Sequence, residues 1–392
     1  AASSDYPLRD VYKRQLLSSE DFVMNSFIDE NKVEELIKNL FVIEFFKMKV
    51  FPIIKIKLSD SKYSLKAYLC LHFESIVINL LEKFFYNISG CLAAGNYLLD
   101  IIEYCYYNMT TNISHVDFVK KIKIELDKNS IEKIDYEKDL EEKFHGIQFS
   151  ISMACLSITR LISDHLDQLP FPVTNTLLNG KDFPLLLVEI LEVKPWYIIN
   201  NSKEITHVYD DNKFVSVEKD QKLLNIMNKY EGQIWITLYN LLIMQGLKYE
   251  ITDFRKNILL RLKKFMNQRL YDQLPPLVNL YRALEQMSIS NTQTNTFSTT
   301  KSFLVEMVPE LFNFNHTNKS DKSLDIKLLS ETVFEKYFKN GNIKEEVSQV
   351  GEVFSLDNMD YFMDKPICGN CGKEANNRCK QCKMEWYCSK EC

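Results

Sequence analysis

Large apolar side chains along most of this chain recur at steps of three and four residues, and no other feature constrains the fold as strongly. Between residues 34 and 50 the series is Leu36, Leu40, Ile43 and then Phe46 or Met48. Ile76, Leu80, Leu81 and Phe84 form a second series, Ile151, Cys155, Ile158 and Ile162 a third, and Ile234, Leu238, Leu241 and Leu242 a fourth. A period near 3.6 gathers such residues on one face of an α-helix, so many helices of moderate length are expected. Turn formers are scarce: there are 10 Gly and 10 Pro in 392 residues, where average usage gives about 27 and 20. An all-β sandwich, which needs many turns, is thereby disfavoured. The prolines at Phe51-Pro52, Leu169-Pro170, Phe171-Pro172, Lys194-Pro195 and Leu274-Pro275-Pro276 mark expected helix breaks, because proline lacks a donor and forces its predecessor out of the α region.

Two kinds of segment depart from this pattern. Residues 206–217 alternate Val208, Phe214, Val215 and Val217 around Asp210-Asp211-Asn212, the composition of a β-hairpin, expected here as a small insertion. Residues 288–302 and 313–322 are polar and poor in large side chains, so both read as flexible loops. No period of about 34 to 45 residues marks a regular repeat array.

Charge argues against two classes of partner. Lys plus Arg number 48 and Asp plus Glu 53, a net charge of −5, which gives no global electrostatic case for nucleic acid or an anionic membrane. No apolar run approaches the roughly 18 residues that cross a bilayer, since 41–56 is broken by Glu44, Lys47, Lys49 and Lys55. The chain is expected to be soluble, with no transmembrane segment. No secretory signal opens it, so a reducing compartment fits best. It begins at Ala1 and ends at Cys392 inside a cysteine motif, which suggests a fragment. Residues 1–15 carry no helical stripe and are expected to be non-native or disordered, leaving a helical body at 16–365 and a terminal module at 366–392.

Cysteine usage is the most specific signal. Cys70, Cys91, Cys105 and Cys155 are scattered, whereas six cysteines crowd into the last 25 residues. Cys368-Gly-Asn-Cys371 and Cys379-Lys-Gln-Cys382 are two C-x2-C knuckles, followed by Cys388 and Cys392. Such knuckles let paired thiolates face one ion in a tetrahedral site, and zinc is the natural occupant. So short a segment cannot bury enough apolar surface to fold alone, whereas structural zinc supplies roughly 10–16 kcal/mol of apparent binding energy. A disulfide cluster or an iron–sulfur site is the competing reading. Six ligands cannot fill two four-ligand sites. Either one zinc is bound with two spare thiols, or further ligands follow Cys392, which is the preferred reading.

The spacing of these six cysteines, with Trp386-Tyr387 before the fifth, resembles the MYND zinc finger. That resemblance implies two zinc ions bound in cross-braced fashion. Cys368, Cys371, Cys388 and Cys392 would form the first site. Cys379 and Cys382 would belong to a second, completed in the family by a downstream His and Cys that this sequence lacks. The body adds Lys49-Val-Phe-Pro-Ile-Ile54, residues 74–82 (ESIVINLLE), 185–192 (LLLVEILE) with Pro195-Trp196, 232–242 (GQIWITLYNLL) and Asp272-Gln-Leu-Pro275. From about residue 30 to Cys392 these blocks resemble, in order, the family of zinc finger MYND domain-containing protein 10.

The resemblance implies a non-enzymatic cytoplasmic co-chaperone or adaptor that pre-assembles the inner and outer dynein arms of motile cilia. Its implied partners are a leucine-rich-repeat ciliary assembly factor, an immunophilin, heat-shock chaperones and axonemal dynein chains as clients. The implied location is the cytoplasm, at centriolar satellites or dynein-assembly foci. The expected fold class is all-α, an irregular armadillo-like helical stack ending in a small zinc-binding MYND finger. The alternative function is a transcriptional cofactor whose finger captures proline-containing repressor peptides. It would be favoured by a nuclear-localisation cluster, and the sequence shows none.

Other candidate sites are weaker. His72, His115, His145, His165, His207 and His316 are dispersed, with no pair at i, i+4. Asn315-His316-Thr317 vaguely matches a methyltransferase string but falls in an expected polar loop. Cys105 has no local base to activate it and reads as a buried thiol. Residues 135–143 (DYEKDLEEK) read as a solvated helical face. Trp196 and Trp235 read as core anchors, and Trp386 as a possible peptide contact. Residues 90–95 (GCLAAG) lack the Lys-Ser or Lys-Thr of a phosphate loop. The finger's net charge of +2 is too small for DNA binding.

Overall fold

A computed structural model describes residues 24–55, 61–114, 136–199, 204–210, 212–217, 227–245, 249–289, 307–316, 325–339, 370–371, 377–378 and 386–389. The chain divides into two compact units, Ala1–Glu331 and Thr332–Cys392. The boundary expected near residue 365 and the expectation for residues 1–15 both lie outside the described residues.

The first unit is mostly helical, and its core is built around two long helices. Helix α1 (Lys32–Phe45) continues through a π-helical turn at Phe46–Val50 into α2 (Phe51–Lys55). Then come α3 (Ser61–Phe85), α4 (Ile88–Ala93), α5 (Tyr97–Asn108) and α6 (Tyr136–Ser163). Helices α3 and α6 pack together more extensively than any other pair, and α6 also covers α5. The stripe Ile151, Cys155, Ile158 and Ile162 of α6 is wholly buried, as its period requires.

Two other stripes are rotated from their expected faces. In α1 the inward residues are Val33, Ile37, Leu40, Phe41 and Glu44; of the expected series only Leu40 is among them, and Leu36 and Ile43 are half-buried. In α3 they are Leu71, Glu74, Val77, Ile78, Leu81, Phe84 and Phe85, while Ile76 and Leu80 face solvent. Each true face includes a glutamate, which an apolar count passes over. Nor does the chain break at Pro52. The wider π turn, closed by a bond from the Phe51 amide to the Phe46 carbonyl, carries the helical path past a residue that cannot donate.

Other expected breaks hold. Pro172 sits in the first turn of α7 (Phe171–Asn175), and Pro184, which the sequence did not single out, in that of α8 (Phe183–Val193). There a missing amide costs nothing. Lys194 ends α8 in the left-handed conformation at φ 48°, and Pro195 follows it. Gly90 is wedged against the backbone at the end of α3, where a Cβ would lie 2.0 Å from the Phe84 carbonyl oxygen. The 90–95 segment is thus a tight helix-to-helix passage.

The body is not all-α. Strands β1 (Tyr197–Ile199), β2 (Ile205–Asp210) and β3 (Lys213–Ser216) form an antiparallel sheet in that order. The expected hairpin is β2–β3, closed by the pair Asp210↔Lys213 with Asn212 at φ 61°. Strand β1 was not foreseen, because three residues after a tryptophan carry too little alternation to register. Nor is the sheet a peripheral insertion. Val208 and Tyr209 are buried, and Phe149 of α6 meets Tyr209 edge-on at 4.9 Å and Phe214 at 5.5 Å. Asn228 then ties the sheet to α9 (Lys229–Tyr239). Its Oδ1 accepts from the Tyr230 amide that opens the helix, and its Nδ2 donates to the Tyr209 carbonyl. Trp196 and Trp235 are fully buried anchors of this region.

Helices α10 (Asp253–Leu260), α11 (Gln268–Gln273), α12 (Leu277–Ile289) and α13 (Glu310–His316) follow. Ser288 and Ile289 close α12, and the rest of the expected loop at 288–302 lies outside the described residues. The second expected loop is corrected over its first four residues: Asn313 to His316 are helical, and Asn315 is buried. The reason is tertiary. Asp100 of α5 accepts a bond of 2.8 Å from the Phe312 amide and so satisfies the first turn of α13. Asn315 donates to the Phe41 carbonyl and to Glu44.

By length and composition, Glu142–Ser163 of α6 is apolar enough to cross a membrane, which the sequence reading did not allow for. Its apolar window is 83% buried inside the fold, as a core helix is.

Two carboxylates with no solvent exposure organise these helices. Glu74 of α3 accepts from Lys47 at 2.5 Å, from Tyr104 of α5 at 2.8 Å and from Gln148 of α6 at 3.3 Å. Glu44 of α1 accepts from Asn315 at 2.8 Å and lies 3.2 Å from His316 Nε2. Removing one partner from a buried charge pair costs about 3–5 kcal/mol, because the other charge is stranded. Lys47→Met should therefore destabilise the body by that amount in urea unfolding, and adding Glu74→Leu should restore much of the loss.

Burial raises the Asp100 carboxyl to about 6, against the pull of the Phe312 and Leu311 amides. The folded state thus holds the proton more tightly than the unfolded chain. Its contribution is complete below about pH 4 and fades as pH rises through 6. Asp100→Asn keeps an acceptor for the Phe312 amide but cannot ionise. Its melting temperature relative to wild type should rise between pH 4 and pH 7.

Candidate metal centre

In the second unit, among the described residues, Phe334 stacks on Phe338 within a helical segment, and β4 (Asn377–Arg378) pairs antiparallel with β5 (Trp386–Tyr387). The register sets Asn377 opposite Tyr387 and Arg378 opposite Trp386. This ribbon carries the cysteine pattern: Cys379 follows β4 in sequence, and Cys388 follows β5.

The structure brings Cys371 and Cys388 together, with their sulfurs 3.4 Å apart. Neither is in a disulfide; Cys371 is exposed and Cys388 partly buried. A disulfide would hold the sulfurs about 2.05 Å apart. Two thiolates about 2.3 Å from one zinc in a tetrahedral site lie about 3.8 Å from each other. The observed separation is near the second value, so this pair fits one edge of a zinc site after a shift of a few tenths of an ångström. Sixteen residues separate the two cysteines in the chain, and bridging such a span through an ion is how a small metal module closes a chain too short to bury a core. Cys368, Cys379, Cys382 and Cys392 lie outside the described residues, and among those described no group of three potential ligands occurs.

The body's other reactive side chains serve packing. Cys105 and Cys155 are buried, and burial followed by a bond with Cys105 pushes the Cys155 thiol well above its ordinary range. Burial likewise pushes Cys91 up to about 12. Neither Cys91 nor Cys155 can supply a thiolate near neutrality. Among the histidines, His72 stacks on Tyr68, His165 approaches the Tyr86 carbonyl, His207 the Thr206 hydroxyl and His316 Glu44. His115 lies outside the described residues. Glu142 and Lys143 are exposed, in keeping with a solvated face, and the rest of 135–141 has no described side chains.

The polar interior was missed at the sequence level, although a signal existed. Glu44 continues the spacing Val33, Ile37, Leu40 and Phe41. A charged residue at a core position of a helical period implies a buried partner.

The described residues thus comprise a mostly helical body and, in the second unit, a short two-stranded ribbon with two cysteines close together. The chain is similar to zinc finger MYND domain-containing protein 10 homolog of Drosophila melanogaster, with 24% identity over 401 residues, covering 95% of this chain and 85% of that protein. This is distant but near-full-length homology. No protein-family model matches the chain, and no solved structure does.

Cys371→Ser should lower the zinc content of the purified chain and leave the far-ultraviolet circular dichroism of the body unchanged. Atomic emission and circular dichroism on the same sample check both.

Proposed function

We propose that this chain is a cytoplasmic co-chaperone or adaptor for the pre-assembly of inner and outer axonemal dynein arms, working through protein contacts and not catalysis. The observation that carries this reading is the extent of the match. It runs through 95% of the chain, so most of the helical body is matched and the relationship does not rest on a shared finger alone. In this reading the body is an irregular armadillo-like stack that offers extended surface. The finger is a rigid docking module.

Cys368, Cys371, Cys388 and Cys392 would hold one zinc ion, and Cys379 and Cys382 would contribute to a second. The printed name of the Drosophila relative includes a zinc finger, and the Cys371–Cys388 separation supports a shared ion. Zinc supplies shape to the finger and no reaction. The partners in this proposal are a leucine-rich-repeat ciliary assembly factor, an immunophilin and heat-shock chaperones, with dynein chains as clients. The sites of action are cytoplasmic assembly foci or centriolar satellites.

Affinity purification of the tagged protein from ciliated cells tests this directly. Recovery of dynein heavy chains with chaperones is the expected result. Recovery of histones or repressor complexes without dynein would overturn it in favour of a transcriptional cofactor.

A further inference from the structure

Helix α13 is held to the body chiefly by polar bonds. Of its seven residues only Asn315 is buried, and Phe314 is 55% exposed. So short a helix does not persist alone, and its order depends on the surface beneath it. That surface offers a carboxylate at each end. Asp100 of α5 accepts from the Phe312 amide at 2.8 Å and from the Leu311 amide. Glu44 of α1 accepts from Asn315 Nδ2 at 2.8 Å and faces His316 Nε2 at 3.2 Å. Asn315 also donates to the Phe41 carbonyl, and the His316 ring lies against Tyr107. Helices α5 and α6, by contrast, bury long runs of apolar side chains. An element with few buried apolar side chains opens at a smaller cost than the core it rests on.

Closure gathers negative charge. The charged groups facing Asp100 are Glu310 of α13 and Glu103 of its own helix, and Glu103 is paired with Lys181 at 2.7 Å. Among the described residues no cation pairs with Asp100. Glu44 lies near Tyr104 of α5, whose hydroxyl donates to Glu74, and Lys47, three residues on, is also bonded to Glu74. Its contact with His316 is an ion pair only while the imidazole is protonated. Both ends therefore close best with a proton aboard. A neutral Asp100 accepts the amide bonds without repelling Glu310, and a protonated His316 compensates Glu44. When α13 lifts, water reaches both carboxylates and the ionised forms are favoured again.

We propose that α13 is a proton-linked latch, closed on α1 and α5 in mildly acidic solution and opening as a unit, with the rest of the body folded, as the pH rises. Opening uncovers Glu44, Asp100 and Tyr107, so an acidic and aromatic surface is presented in the open state alone. The latch belongs to the unit Ala1–Glu331 and depends on neither the finger nor the dynein reading. Burial, against the pull of two amides, holds the Asp100 carboxyl at about 6 where 3.8 is ordinary. A value raised on closure makes the latch tightest below the ordinary value and loosest above the raised one. If opening returns Asp100 to its ordinary value, closure weakens about tenfold between about pH 5 and about pH 8.

Hydrogen–deuterium exchange of the full chain, followed by mass spectrometry over that pH range and corrected for intrinsic exchange rates, tests this. Protection in a peptide covering 310–316 should lie well below that of α5 and α6. It should fall about tenfold from the acidic to the alkaline end while α5 and α6 keep theirs. Asp100→Asn keeps an acceptor for the Phe312 amide and cannot ionise, so it should cut that fall to about threefold or less. The wild-type profile needs no variant, so the proposal stays decidable even where Asp100→Asn fails to fold. Protection in 310–316 equal to that of α5 and α6 would overturn it, since α13 would then open only with the body. So would a protection that does not fall as pH rises, or one that falls equally in Asp100→Asn.

Discussion

The helical body depends on the placement of two carboxylates in an interior that water does not reach. Glu44 and Glu74 are fully buried, and an uncompensated charge in such a place would be prohibitive. Each is satisfied by donors from other helices. Glu74 joins the π-helical turn after α1 through Lys47, α5 through Tyr104 and α6 through Gln148. Glu44 holds α13 through Asn315 and His316. Apolar burial can be satisfied by sliding one helix along another, but these bonds cannot. The network therefore selects one register among the many that greasy surfaces would accept.

The docking of α13 shows the consequence most clearly. Seven residues are too few to form a stable helix alone, and their sequence, rich in Asn, reads as loop. Here the first turn is satisfied by Asp100, the interior end is pinned at Glu44, and the His316 ring lies 4.0 Å from Phe312 and 4.5 Å from Tyr107. Asp100, Glu44 and Tyr107 are each more than 200 residues away in the chain. The same reasoning covers the sheet. Its hairpin is local, while its burial depends on Phe149 and Asn228.

The terminal module follows a different rule. In the proposed reading its shape rests on sulfur chemistry, since so short a segment can bury little apolar surface. Cys371 and Cys388 approach to 3.4 Å across a two-stranded ribbon whose pairing amounts to two residues on each side. On that reading body and finger reach order by opposite means, the one by satisfying charges inside a large core and the other by gathering soft ligands around an ion.

Sequence by itself determined the helical class, the hairpin at Asp210 to Lys213, the helix break at Pro172, and the clustering of six cysteines at one end. These are local matters of period, turn chemistry and spacing, legible without knowing what packs where. Tertiary structure alone decided which face of α1 and α3 turned inward, that Pro52 would be carried through a π turn, and that residues 313–316 would be helical. In each case the deciding partner sits on another helix. A side chain's period specifies a face only to within a residue, and the bond that settles the choice is made by a residue distant in the chain.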